Sequence, residues 1–351
     1  MKKVNSINVA VTYAGCVVGA GFLSGQELWQ FFGSYGKLGF LGFVLAIIFQ
    51  LALGYIVLAY AYKSQTSEFD VLIVRKNVKP LRLFFSISEI VFIFSVVVIM
   101  FAGSGSLIKT AFGINDVVGS IIFATLITLV AFLGISGIVS VLSYTIPILT
   151  IMTLIVSILA LSKYGFPNLN DLEVTGKTTL MPNFIIAFIL FSVHNLFCTL
   201  GVLAPMGYSL ENKKTALNGM ILSSVILIII SISVLLPISA KVGFSKSELP
   251  MLDLAKTIGG PLFYIYAILL LIGMFGSALS HFVSLIDFSF RKSNFLRKNK
   301  GVYLISMAII SFLLSRIGFS KIISIAYPIS GYVGIVALIM ITCNYFIKPK
   351  V

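Results

Sequence analysis

The sequence predicts an all-α membrane protein of ten transmembrane helices. They form two five-helix halves, the second inverted relative to the first, with helices 1 and 6 broken. Three observations carry this. Hydrophobic residues make up 59% of the 351 and charged residues only 10%, against about 25% charged in a soluble domain, which leaves too few charges to cover a water-facing surface. The apolar residues fall in continuous runs that suit helices of ~20 residues, the length a bilayer requires, and lack the alternation of a membrane β-barrel. The lengths of segments and connections then repeat after five segments.

Taken in order, the apolar segments are 7–32, 38–62, 81–112, 117–139, 141–162, 183–208, 215–240, 261–290, 302–317 and 322–347. The longest polar stretches, 63–80, 163–182, 241–260 and 291–301, are too short for a soluble domain. Lys2 and Lys3 before the first apolar run resemble the start of a signal peptide. The apolar pattern continues past Phe31 with no small-residue cleavage site, so a retained first span is predicted. Cys16, Cys198 and Cys343 all lie in apolar runs, which predicts neither a disulfide nor a metal site built on cysteine.

The net charge of +14 would suggest a nucleic-acid partner in a soluble protein. In a membrane protein the excess of Lys and Arg marks cytoplasmic loops. With the N-terminus inside, sixteen of the 25 basic residues fall on the cytoplasmic side and nine outside. The cytoplasmic set includes Arg75, Lys76 and the cluster from Arg291 to Lys300. Both termini are therefore expected in the cytoplasm of a bacterial cell, with the bilayer and a small-molecule substrate as partners and no nucleic acid.

The segment 163–182, expected outside, divides the chain into halves 1–162 and 183–351. In each half the second connection is long and holds a short helix-like stretch, 68–75 or 247–257, the latter with Ser247 as N-cap. Each then leads to a span, 81–112 or 261–290, longer than an upright helix needs. Five spans per half invert the second half, a signature of secondary transporters.

The first span places Gly15, Gly19, Gly21 and Gly25 at mid-membrane depth, each costing ~1 kcal/mol of helix stability relative to alanine. One reading is close helix packing through two GxxxG pairs; the other is a broken helix that frees main-chain groups for a ligand. The polar run Ser24-Gly25-Gln26-Glu27 favours the break, and the spacing misses the dinucleotide fingerprint. His194, Asn195, Thr199, Gly201 and Pro205 cluster in the sixth span and predict a second break. His194 is either a helix–helix hydrogen bond or a substrate contact. In the eighth span Ser277, Ser280, His281 and Ser284 share one face. Their hydroxyls suit a hard cation, but on this span alone small-residue packing with back-bonded hydroxyls is the better reading. Glu27 is expected as a gate of the outer vestibule or a solvated helix end, and Glu89 as a costly buried acid with a gating or coupling role. Asp287 is expected to pair with Arg291, and Trp29 to sit at the outer membrane interface.

Together these spans resemble the LeuT-fold transporters of the amino acid–polyamine–cation superfamily, and within it the bacterial YkvI-like membrane proteins. The stretch Ala14-Gly15-Cys16-Val17-Val18-Gly19-Ala20-Gly21-Phe22-Leu23 is similar to the first span of sodium-coupled members. The resemblance implies sodium held by the carbonyls of Gly15 and Val18 and the hydroxyls of Ser277 and Ser280. It implies a substrate carboxylate on the N–H groups of Gly19, Ala20 and Gly21. Phe22, Leu23, Cys198 and Thr199 would face the cargo, and the stretch from Phe197 to Gly201, beside His194 and Asn195, would form the other wall. Two departures stand out: Phe22 replaces a side-chain amide that often bridges substrate and ion, and the sixth span has one glycine where a pair is usual. The fifth span carries no Lys or Arg, unlike proton-coupled relatives with a lysine there.

The function expected is import of a small neutral solute, an amino acid, with sodium as coupling ion and no other cofactor. No lone Asp or Arg is expected at the central site, which argues against cationic or dianionic cargo. No GxxxxGK[ST] loop is present, which argues against ATP-driven transport. Gly103-Ser104-Gly105-Ser106 with His281 misses the GxSG pattern of intramembrane serine proteases, so no enzyme is expected. A receptor subunit on the same fold without turnover, a proton-coupled transporter and a channel are the other readings.

Overall fold

The computed structural model describes residues 3–74, 78–133, 145–172, 174–240 and 247–347. Arg75, Lys76 and the side chains of Asp287 and Arg291 lie outside the described residues, and so does the expected pair between the last two. A chain in lipid must satisfy its main-chain polar groups internally, which favours helices. The helices are α1 (Ser6–Val17), α2 (Ala20–Leu23), α3 (Gln26–Phe31), α4 (Lys37–Ser64), α5 (Phe69–Ile73), α6 (Lys79–Phe112), α7 (Asp116–Leu133) and α8 (Thr145–Tyr164). They continue with α9 (Phe184–Tyr208), α10 (Lys213–Ala240), α11 (Pro250–Ile258), α12 (Gly260–Lys292), α13 (Asn294–Lys298), α14 (Lys300–Ser315) and α15 (Phe319–Ile347). Seven of these, α4, α6, α8, α9, α10, α12 and α15, are long and apolar enough to cross a membrane. The shorter apolar helices α1, α7 and α14 fall in the remaining three apolar segments.

Local chemistry sets the helix ends. Asn5 caps α1 by accepting from the Asn8 amide, and Asn183 caps α9 by accepting from Ile186. Gly113, at φ +71°, closes the 34-residue α6. Ser247 does not cap α11. Its hydroxyl accepts from Leu249 two residues on, and the helix begins at Pro250, whose fixed φ suits a first helical position.

The first span breaks between α1 and α2 and turns again at Ser24 and Gly25. The sixth does not break: α9 is continuous from Phe184 to Tyr208, through Phe197 to Gly201 and Pro205. The Thr199 hydroxyl bonds back to the carbonyls of Asn195 and Leu196, a satisfaction available inside a helix. One glycine and one proline are tolerated there because every retained main-chain bond counts in lipid.

Helices α1, α4, α9 and α10 pack on one another as one body, and α6, α7, α12 and α14 as a second; α8 and α15 touch both. Small residues let backbones approach. A methyl group at Gly207 of α9 would sit 2.8 Å from the Leu58 carbonyl of α4, and one at Gly334 of α15 would sit 2.9 Å from Cβ of Phe197.

Contacts between connections cluster at the two ends of the helices. At one end Val4 exchanges main-chain bonds with Ser209 and Glu211, and Asn344 donates to the carbonyls of Leu72 and Ile73 at 3.2 Å each. At the other end the Tyr35 hydroxyl meets the carbonyls of Gly176 and Met181, Gln30 donates to Ser320, and Arg316 pairs with Asp116. Trp29 lies at this second end but not at a lipid interface. It is buried over Gly33, because α3 packs inward against α9 and α10.

Candidate functional site

At Val18 (φ −81°, ψ 83°) and Gly19 (φ −97°, ψ 178°) the main chain leaves helical geometry. The Val18 amide still bonds Ala14, and the Gly19 amide bonds Val17. Beyond them the N–H groups of Ala20, Gly21 and Phe22 find no acceptor, and the carbonyls of Gly15, Cys16 and Val18 no donor, among the described residues. The break therefore presents both donors and acceptors on one short stretch of chain.

The glycines divide into two kinds. A side chain at Gly15 or Gly19 would meet nothing within 4 Å, so this pair does not mediate helix packing. Gly25 has φ +88°, where only glycine is unstrained, and a side chain there would run into Ile238 and Met251. The left-handed turn at Gly25 starts α3 in a direction that carries Glu27 back toward the interior.

A cavity of about 490 Å³ lies between the two helical bodies. Of the residues singled out from sequence, Gly15, Val18, Gly19, Ala20, Gly21 and Phe22 line it from the first span. Glu27 lines it from α3, His194, Asn195, Cys198 and Thr199 from α9, and Ser277 and Ser280 from α12. Four others do not. Leu23 is fully buried, and its carbonyl accepts from Tyr266 at 2.9 Å. Phe197 turns to Gly334 of α15. Gly201 and Glu89 face each other outside the lining, the Glu89 carboxylate 3.3 Å from where a Gly201 side chain would begin. Glu27 is not at a solvated helix end; it is buried in the cavity wall.

Sequence reasoning missed Phe92 and Met100 of α6 and Tyr327 of α15, which also line the cavity. Nothing in the apolar pattern marks Phe92. The run Tyr327-Pro328-Ile329-Ser330-Gly331 is a signal of the kind used for the sixth span.

The two histidines of the chain both line this cavity. His194 Nδ1 lies 2.5 Å from the Ser330 hydroxyl, which itself donates to the Tyr327 carbonyl. The imidazole Nδ1 is therefore the donor, and a neutral ring leaves Nε2 as an acceptor. His281 Nδ1 donates to the Ser277 carbonyl at 2.7 Å, with the same consequence. The His194 ring stacks on Tyr327 at 4.1 Å and meets the ring of Phe92 edge-on at 5.0 Å. His194 thus makes a helix–helix hydrogen bond and also faces the cavity.

The serines of α12 also divide. Ser284 and Ser289 bond back to the carbonyls of Ser280 and Leu285, as packing alone predicts. The hydroxyls of Ser277 and Ser280 make no such bond among the described residues and lie at the cavity. Ser104 and Ser106 bond Phe101 and Glu248, so neither pairs with His281.

The cavity is shut toward the end that holds Tyr35, where Leu23, Trp29, Phe31 and Phe32 are buried and the Met251 amide bonds the Ser24 carbonyl at 2.9 Å. Toward the end that holds Val4, its lining residues Gly15, Cys16 and Val202 are exposed.

No protein-family model matches the chain. It is 21% identical over 345 residues to the uncharacterized membrane protein YkvI of Bacillus subtilis (strain 168), covering 97% of this chain and 96% of that protein. Among solved structures it is similar to the inward-facing conformation of Mhp1, with a TM-score of 0.68, 12% identity, and coverage of 99% of this chain and 77% of the other. It is also similar to MhsT in complex with L-phenylalanine, with a TM-score of 0.60, 15% identity, and coverage of 98% and 90%. The chain is a helical membrane protein with the LeuT fold of these transporters.

Proposed function

We propose that the protein is a secondary active transporter that imports a small solute, an amino acid, with sodium by alternating access. The observation that carries this is the cavity at the break of the first span, shut toward one end of the helices and open toward the other. Ten crossings are the path that fits the contacts between connections: Val4 with Ser209, Asn344 with Leu72, Tyr35 with Met181 and Arg316 with Asp116 each join segments an even number of crossings apart. Five crossings per half would invert the second half relative to the first, in keeping with the repeated connection lengths. The charge bias favours cytoplasmic termini, which makes the open side the inside.

The carbonyls of Gly15 and Val18 from the first span and the hydroxyls of Ser277 and Ser280 from α12 are four cavity-lining oxygens without donors among the described residues, a set suited to sodium if the two sides approach. A substrate carboxylate would lie on the N–H groups of Ala20, Gly21 and Phe22. The Gly19 amide is occupied by Val17, so the seat lies one residue further along than sequence suggests. The L-phenylalanine in complex with MhsT is a ligand of this chemical kind. Alternating access would move α1, α4, α9 and α10 against α6, α7, α12 and α14. Ion and cargo bias that motion only through different affinities for its two states.

The test is uptake of labelled amino acids into proteoliposomes. Accumulation that requires an inward sodium gradient is expected. Saturable binding with no accumulation would indicate a receptor on the same fold, and accumulation driven by protons without sodium would overturn the ion assignment.

A further inference from the structure

Among the described residues Glu27 is the one carboxylate in the cavity wall. It is 4% exposed, and among the described residues no lysine or arginine forms an ion pair with it. The Asn195 side chain lies within reach of its carboxylate, and Cys198 and Tyr327 are close enough to feel its charge. A buried carboxylate without a counter-charge is costly, and the cost is removed either by taking up a proton or by pairing with a cation. Among the described residues the rest of the wall supplies no lysine or arginine. It supplies the aromatic side chains of Phe92 and Tyr327, the acceptor nitrogens of His194 and His281, and main-chain carbonyls without donors among the described residues. One negative charge among aromatic side chains and acceptors is the complement of an ammonium group.

We infer that the cargo carries a protonated nitrogen that docks on Glu27, so that amines and amino acids enter the cavity and solutes without an ammonium group are refused. Glu27 then holds one end of an amino acid, and the N–H groups of Ala20, Gly21 and Phe22 hold the other. The expectation against cationic cargo rested on there being no lone Asp or Arg at the central site; Glu27 in the wall supplies an acid there, so a simple amine fits as well as a zwitterion. This inference rests on the proposed cargo site but not on transport.

The experiment uses the purified full chain in nanodiscs with sodium, and three probes that share the isobutyl group: L-leucine, isoamylamine (leucine without its carboxylate) and isocaproate (leucine without its amine). Thermal stabilisation by the first two and not by the third is expected. Glu27→Gln should weaken isoamylamine binding about tenfold or more, while Glu27→Asp retains it. Without ligand, Glu27→Gln should melt at or above the wild-type temperature, which separates lost binding from lost folding. Should that variant fail to fold, protection of Cys198 from a thiol reagent by isoamylamine in the wild type is the deciding measurement. The inference is overturned if isocaproate binds as well as L-leucine, if Glu27→Gln binds the amine normally, or if no amine in a broad panel binds or protects at millimolar concentration. Binding of amines with no sodium-driven accumulation upholds this inference and removes the transport reading.

Discussion

The Tyr266 hydroxyl on α12 donates a 2.9 Å hydrogen bond to the carbonyl of Leu23, the last residue of α2. Beside it the Met251 amide holds the Ser24 carbonyl. The second half of the broken span is thus pinned to the opposite helical body through its own main chain. Tyr266→Phe removes the bond and keeps the ring. A buried hydrogen bond is worth about 1 kcal/mol net, so the ratio of closed to open at this end should fall about fivefold. The measurement is labelling of Cys16 and Cys198 by a hydrophilic maleimide in a Cys343→Ser background. Labelling from the Tyr35 side that is faster by up to about fivefold is expected. An unchanged rate would mean the bond is no part of the closure.

Ser277 and Ser280 differ from Ser284 on the same helix in having hydroxyls at the cavity without a bond among the described residues. If those oxygens hold sodium, Ser277→Ala and Ser280→Ala should each raise the sodium concentration for half-maximal stabilisation about tenfold or more, the loss expected for an oxygen ligand of a hard cation. Ser284→Ala should leave the sodium response unchanged. Equal responses of all three variants in a thermal-shift titration would move the ion site elsewhere.

The glycines of the first span should separate in the same way. Gly15→Ala and Gly19→Ala add a methyl group where nothing lies within 4 Å, so the protein should fold and melt close to the wild type while cargo affinity drops. Gly25→Ala forces a side chain to φ +88° against Ile238 and Met251 and should cost about 1–3 kcal/mol. Thermal melts and ligand titrations of the three variants check this. A strong loss of stability at Gly15 would restore the packing explanation of its GxxxG pair.

Much of this molecule is legible in the sequence because lipid imposes few solutions. Each of the ten apolar segments carries an apolar helix, and the break after Val18 falls among the glycines that announce it. The sixth span misled for a physical reason: Thr199, Gly201 and Pro205 weaken a helix, yet back-bonding and the surrounding lipid hold it together. Glu27 was misplaced because its direction depends on the left-handed turn at Gly25, which sequence spacing does not encode. Phe92 and Tyr327 are aromatic residues on apolar helices, the same types that face lipid elsewhere.

Phe197 and Cys198 are neighbours on α9 with opposite surroundings. Successive helical residues point about 100° apart, so Phe197 packs against Gly334 while Cys198 opens on the cavity. Phe197→Ala should lower stability by about 3–5 kcal/mol and leave the affinity of the folded fraction near the wild-type value. Cys198→Phe should do the reverse, narrowing the cavity and weakening cargo binding while the melting temperature holds. Gly334→Ala should reproduce the stability loss from the other side of the contact, because its methyl group would sit 2.8 Å from Cγ1 of Val193 as well as crowding Phe197. Chemical melts and ligand titrations of these variants separate packing from binding. Loss of affinity in Phe197→Ala at unchanged stability would return Phe197 to the cargo site.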